Sequence, residues 1–245
     1  MIIKYRTFLI LLTFGLSHLM YGQQLGIKLG TNISKMAGEF DYYQTKNQFG
    51  IQGGLSLSFA LNENINLRPE LLFAQKGGKI DYTLEGFGAQ WKLNGIQRIN
   101  FLEIPFNIDV ISPVNENNNF VFTIGFYYAT AVGGTLDLEN DFTDFDNPRF
   151  TRVINYNMPM QFTDVVTYQD QSGLGSFEEE YGFIKKNDYG ARLGVGWQFS
   201  KVMVDLTYVI GFANMNPHEE GVISDEIEKY TRSAQFNITY FLPNF

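Results

Sequence analysis

Residues 189–212 read YGARLGVGWQFSKVMVDLTYVIGF. Tyr189, Ala191, Leu193, Val195, Trp197 and Phe199 fall on one side of an extended chain, with Gly190, Arg192, Gly194, Gly196 and Gln198 on the other. After Ser200-Lys201 the alternation resumes with Val202, Val204, Leu206, Tyr208, Ile210 and Phe212, and Asp205, Thr207 and Gly211 lie opposite. Successive side chains of a strand point to opposite faces, so this period of two predicts strands whose faces meet different surroundings. A two-residue connection between two such runs predicts a hairpin. A water-soluble ligand-carrying barrel would turn its bulky apolar face inward. Here the second face is glycine, small polar groups and charge, which suits the narrow interior of a small barrel. The aromatic face is therefore expected to look outward, toward lipid.

The same pattern recurs six more times. Leu25, Ile27 and Leu29 oppose Gly26, Lys28 and Gly30; Phe49, Ile51, Leu55, Leu57 and Phe59 oppose Gly50, Gln52, Gly54, Ser56 and Ser58. Ile65, Leu67, Leu71 and Phe73 oppose Arg68, Glu70 and Lys76, and Leu102, Ile104, Phe106, Ile108 and Val110 oppose Glu103, Asn107 and Asp109. Phe120, Phe122, Ile124, Phe126 and Tyr128 oppose Thr123, Gly125 and Ala129, and the last run sets Ala234, Phe236, Ile238 and Tyr240 against Ser233, Gln235, Asn237 and Thr239. Most runs have roughly the 9–11 residues with which a tilted strand crosses a bilayer. Connections at Leu61–Asn66, Ser112–Asn119 and Ser200-Lys201 are short, whereas 34–48, 77–95, 133–187 and 213–231 are long. Alternating short and long connections are what a barrel with tight turns at one mouth and large loops at the other requires. The expected fold is all-β, an eight-stranded antiparallel up-and-down transmembrane β-barrel with long external loops. Within 133–187, the segments around Phe150–Tyr156 and Phe162–Tyr168 offer two further wall strands, making ten. Charge in the arms favours instead a hairpin projecting outside the membrane.

Residues 1–22, MIIKYRTFLILLTFGLSHLMYG, place Lys4 and Arg6 before an uncharged apolar stretch that ends at Gly22. This is the pattern of a secretory signal peptide, and it leaves 23–245 as one barrel domain. The chain has 245 residues, 39 aromatics (23 Phe, 14 Tyr, 2 Trp) and no cysteine. Without cysteine there is no disulfide scaffold, thiolate metal site, cysteine nucleophile or lipidated N-terminal cysteine. The 18 basic and 26 acidic residues give a charge of −8, which becomes −10 once Lys4 and Arg6 leave. That balance argues against nucleic acid as a partner.

GIKLGTNIS (26–34), FGIQGGLSLSFALNENINLRPELLFAQKGGKI (49–80), INFLEIPFNIDV (99–110) and YGARLGVGWQF (189–199) resemble the PorT-type outer-membrane β-barrel family of Bacteroidetes. The runs RPELLFAQKGG and FLEIPF carry most of the likeness, which extends over the chain outside 1–22 and 133–187. The ending departs from the family habit of closing on an aromatic, since Pro243-Asn244-Phe245 follows Leu242 and breaks the parity of Phe236, Ile238 and Tyr240. The resemblance implies an outer-membrane protein of a two-membrane bacterium. The family takes its name from a component of type IX secretion, and an accessory role in that process is one implied function.

Three groups of residues are candidates for a site. Lys28, Arg68 and Arg192 share the expected lumen with Glu70, Glu103 and Asp205, joined by Lys76 and Asp109. A charge buried without a partner is strongly destabilising, so these predict an ion-pair ladder in place of an apolar core. A proton or ion path is the functional alternative. Residues 133–187 hold ten acids and four bases, and 213–231 hold five and one, so these two loops account for the whole −10. Asp137, Glu139, Asp141, Asp144 and Asp146 are candidate oxygen ligands for a divalent cation, without the Asp-x-Asp-x-Asp-Gly order of a calcium loop. His218 beside Glu219 and Glu220, with Ser224 nearby, is the one candidate for catalysis, and no motif fixes a triad. Tyr128, Tyr189, Trp197, Phe212 and Tyr240 at strand ends fit interfacial girdles. The expectation is a protein without enzymatic activity or cofactor that acts structurally or through its acidic external loops. Its expected partners are outer-membrane lipid and lipopolysaccharide, together with envelope or secretion proteins. The alternatives are a secretion accessory and a small porin.

Overall fold

The computed structural model describes residues 23–38, 44–86, 88–146, 148–166, 182–219 and 228–243. The segment expected to be a signal peptide lies outside these residues. Eight wall strands follow one another: β1 (Gln23–Ala37), β2 (Gln48–Asn62), β3 (Ile65–Gly86), β4 (Ala89–Asn115), β5 (Asn118–Asp144), β6 (Asn187–Phe199), β7 (Val202–Gly211) and β8 (Tyr230–Phe241). Each pairs antiparallel with its successor, and β8 pairs back onto β1, with Ile27 opposite Tyr240 and Ile33 opposite Ala234. Closure removes the open edges that a flat sheet would expose, and in lipid an unpaired backbone group costs several kcal/mol. Among the described residues no helix is long and apolar enough to cross a membrane; the crossing is made by strands.

The wall faces follow the period of two. Leu29, Phe49, Ile51, Phe106, Ile124, Phe126, Leu193 and Leu206 all stand exposed on the outside, Phe126 at 67%. Lys28, Gln52, Arg68, Glu103, Asn107, Arg192, Gln235 and Asn237 are buried inside. Large apolar groups are stable in that outward position only against acyl chains. Some lumen positions must be glycine for a different reason. A Cβ on Gly54 would lie 2.0 Å from the carbonyl oxygen of Leu71, and one on Gly190 would lie 2.0 Å from that of Ile210.

The turns at Glu63-Asn64, Glu116-Asn117 and Ser200-Lys201 share one mouth with both ends of the described chain, since Gln23 lies opposite Phe59 and Gly26 opposite Phe241. Aromatics gather at both rims. Trp197 and Phe120 meet edge to face at 6.0 Å near the turn mouth, while Tyr128 pairs with Tyr189 near the other.

The structure departs from the sequence expectation at the long connections. β3, β4 and β5 run for 22, 27 and 27 residues, so 77–95 is the end of a strand hairpin and not a loop. Its turn contains Gly88 at φ 75, a left-handed conformation that glycine adopts without a Cβ clash. The first part of 133–187 is likewise strand, and Arg152–Pro159 pairs antiparallel with Thr135–Phe142. The projecting hairpin is therefore made by β5 with Arg152–Pro159 and not by Phe150–Tyr156 with the described part of Phe162–Tyr168, whose last two residues lie outside the described residues. Gln161–Phe162 instead pairs parallel with Phe183–Ile184, and Val165–Val166 with His218–Glu219. The wall has eight strands and not ten.

The reason is a reversal of the apolar face at the membrane edge. On β3 the outward Leu71 and Phe73 give way to the inward Ile80, and on β4 the outward Leu102–Val110 series gives way to the inward Phe101, Ile99 and Leu93. On β5 a bulge performs the switch. Gly133 lies opposite Asn100 and Ala131 opposite Phe101, so Val132 is an extra residue. Beyond it the even positions Leu136 and Leu138 turn inward, although the even positions Phe122–Tyr128 face lipid. A bulge re-aims every later side chain in this way. Outside the bilayer the sheet behaves like that of a water-soluble protein, with its apolar side covered.

Candidate functional site: a sealed charge lattice and an external sheet

The lumen charges come from five strands. Lys28 (β1) donates to Glu70 Oε1 at 2.9 Å and lies 3.8 Å from Asp205 (β7). Arg68 (β3) reaches Asp109 (β4) through Nε at 2.5 Å and Nη2 at 3.0 Å, a two-pronged contact, and also donates to Glu70. Lys76 meets Glu103 at 2.5 Å, and Arg192 (β6) lies 3.9 Å from both Glu70 and Glu103. Thus Lys28, Arg68, Glu70, Glu103, Arg192 and Asp205, with Lys76 and Asp109, form one connected set of buried charges. Neutral groups extend it. Thr123 donates to Asp109 at 2.7 Å, Thr207 and Asn237 each donate to Asp205 at 2.8 Å, and Arg192 donates to Gln235 at 3.1 Å.

A second focus was not singled out in the sequence. Asp188 Oδ2 accepts from the Tyr127 hydroxyl at 2.7 Å and from Thr231 at 2.6 Å, and Lys76 Nζ lies 4.7 Å from the centre of the Tyr127 ring. The signal was present, because Asp188 shares the parity of Gly190 and Arg192, and Tyr127 is an aromatic on the polar parity of Thr123 and Gly125. Both sit one residue beside the run that marks the lipid face.

Apolar side chains close the lumen at each mouth. Val121, Met203 and Phe241 form a buried cluster at the turn end. At the loop end Met36, Ile99, Phe101, Leu136, Leu138, Met160, Ile184 and Met215 pack into a larger one, with Tyr156, Met158 and Phe162 against it. The charges thus lie between two apolar plugs. A path for ions would have to cross both, at the cost of stripping water from a charge.

Among the described residues of 133–187, the acids are not gathered into a cage. Asp137, Glu139 and Asp141 alternate along β5 on the outer face of the projecting sheet, each about 7 Å from the next along the strand. Asp137 accepts from Arg98 and Asn157, Asn94 Nδ2 donates to Glu139 at 3.4 Å, and Asp144 accepts the backbone N–H of Asp146 at 2.9 Å. Among the described residues no group of three or more such side chains is placed to hold a metal ion. The His218 backbone N–H donates to Asp164 O at 2.9 Å in the short parallel pairing, while Ser224 lies outside the described residues.

Comparison with known proteins agrees with this architecture. The outer membrane protein beta-barrel domain matches residues 21–216. The chain belongs to that family. It is an integral protein of the outer membrane. Among solved structures, it is similar to the Ail attachment invasion locus protein of Yersinia pestis in complex with the heparin analogue sucrose octasulfate, at 11% identity and a TM-score of 0.33, over 90% of this chain and 99% of that one. The translocator domain of the autotransporter NalP from Neisseria meningitidis is similar at 7% identity and a TM-score of 0.22, over 93% and 92%. No curated protein sequence matches the chain.

Proposed function

We propose that this family member is a non-enzymatic outer-membrane barrel that acts through what it holds outside the membrane, and that its lumen charges serve as a structural core. The observation that carries this reading is the placement of the charged groups. The buried charges lie between two apolar plugs, beyond the reach of a substrate, while the acidic side chains Asp137, Glu139 and Asp141 stand on a sheet that continues the wall outward. An extended sheet on a closed barrel is a rigid platform, and loops held by a rigid scaffold are where binding residues concentrate. The small-channel alternative has the two plugs against it. The proposed partners are envelope or secretion proteins and outer-membrane lipid.

The runs RPELLFAQKGG and FLEIPF support a second reading, an accessory role in type IX secretion within a PorT-type family. One experiment separates the two. A deletion strain is complemented with the full chain or with a chain carrying Asp137→Asn, Glu139→Gln and Asp141→Asn, and secreted cargo and cross-linked surface partners are both measured. The first reading predicts normal cargo in the deletion and loss of cross-linked partner in the substituted strain. Loss of cargo in the deletion favours the secretion role, and unchanged cross-linking in the substituted strain contradicts the first.

A further inference from the structure

The outer face of the projecting sheet is not uniform. Across β3, β4, β5 and Arg152–Pro159, Asn94, Asn155 and Asn157 together with Asp81, Asp137 and Glu139 line a groove of about 670 Å³, with Ile96 in its floor and Lys46, from a short strand (Gln44–Lys46) paired with β3, at one border. The strand registers produce this assembly. Asp81 lies opposite Asn94, Asn94 opposite Glu139 and Glu139 opposite Asn155; one row nearer the membrane run Lys79, Ile96, Asp137 and Asn157. Asp81 and Lys79 share the parity of Phe73, Asn94 and Ile96 that of Leu102, and their row partners on the next two strands lie on the same face, so the groove continues the lipid-facing side of the wall.

Height decides what lies beside it. Lys79 is six residues beyond Phe73, and Ile96 six residues before Leu102, where the outward apolar series stops. At about 3.4 Å per residue and a tilt near 40°, the near edge of the groove stands roughly 15 Å above the apolar boundary. The headgroup layer of a phospholipid leaflet is only about 5–8 Å thick. A phospholipid headgroup therefore stops short of the groove, whereas a lipid bearing a saccharide chain reaches it laterally.

The lining fits the same occupant. Arg98 neutralises Asp137 and Lys46 neutralises Asp81, which leaves Lys79 against Glu139 and a groove of about zero net charge. Such a surface offers no excess field for a phosphate. Planar amides and carboxylates around an aliphatic side chain match a polyhydroxylated ring, whose hydroxyls both donate and accept while its C–H face packs on Ile96. We propose that this groove seats the saccharide of an outer-leaflet glycolipid, holding the projecting sheet against the sugar layer of the membrane. The proposal rests on the membrane placement and not on the partner role argued above.

The test uses the full chain in detergent micelles, mixed in turn with rough-type lipopolysaccharide, its deacylated oligosaccharide, and phosphatidylethanolamine, with bound lipid counted by native mass spectrometry. The double variant Asn155→Ala/Asn157→Ala alters exposed positions on an edge strand, and a heat-shift gel establishes that it stays folded. The expected result is one retained lipopolysaccharide on the unaltered chain, about tenfold weaker retention on the variant, and equal, weak retention of phosphatidylethanolamine by both. Equal retention of lipopolysaccharide by chain and variant, or no retention by either, overturns the site. Retention of the free oligosaccharide as tight as that of the intact lipid overturns the glycolipid as its source.

Discussion

Arg68 is held by Asp109 and Glu70 at once, and both carboxylates are buried inside the wall. Arg68→Leu leaves Asp109 without its cation while Glu70 keeps Lys28, and removing one partner of a buried pair costs about 3–5 kcal/mol. The folded band on an unheated gel should accordingly convert at a lower temperature. The Lys76–Glu103 pair offers a sharper version, because Lys76→Leu and Glu103→Leu together remove both charges. The double variant should lose clearly less than the sum of the two singles; a strictly additive result would mean that the pair is not coupled. At this scale, parity made Lys28, Arg68, Glu70, Glu103, Arg192 and Asp205 legible, since a charge on the glycine face of a lipid-spanning strand has nowhere else to point. Asp188 and Tyr127 were less legible. Tyr127 has apolar surface and a hydroxyl, and only the fold shows that this hydroxyl meets Asp188 and Thr231 inside the lumen.

The wall strands were read correctly where lipid faces them and cut short where it does not. Alternation with an outward apolar face stops near Phe73, Leu102 and Val132, and that is where the expected loops begin. The chain goes on as strand past those points with its apolar face reversed, on β5 by means of a one-residue bulge. No local sequence signal distinguishes the end of a strand from a change in what surrounds it. This has a consequence for Leu136, which is fully buried under the outer plug. Leu136→Asp should loosen the projecting sheet and leave the membrane wall in place. Limited proteolysis should then cut within 133–187 faster than in the parent chain, while the β-sheet circular dichroism persists. Loss of the whole β signal would show that the projection and the wall fold as one unit.

The whole molecule is a polar filling between two apolar plugs, wrapped in an aromatic and aliphatic coat. The sequence located the net negative charge in two connections and the excess aromatics on one face, but it did not reveal the plugs. Their residues are dispersed (Met36, Leu136, Met160, Ile184 and Met215 at one mouth, Val121, Met203 and Phe241 at the other), and only closure of the ring brings them together. The seal separates a platform from a pore. Planar-bilayer recording of the refolded full chain tests it most directly. The account predicts no conductance steps above the bare bilayer at any holding potential the membrane tolerates. Steady, reproducible single-channel steps from the intact chain would contradict it.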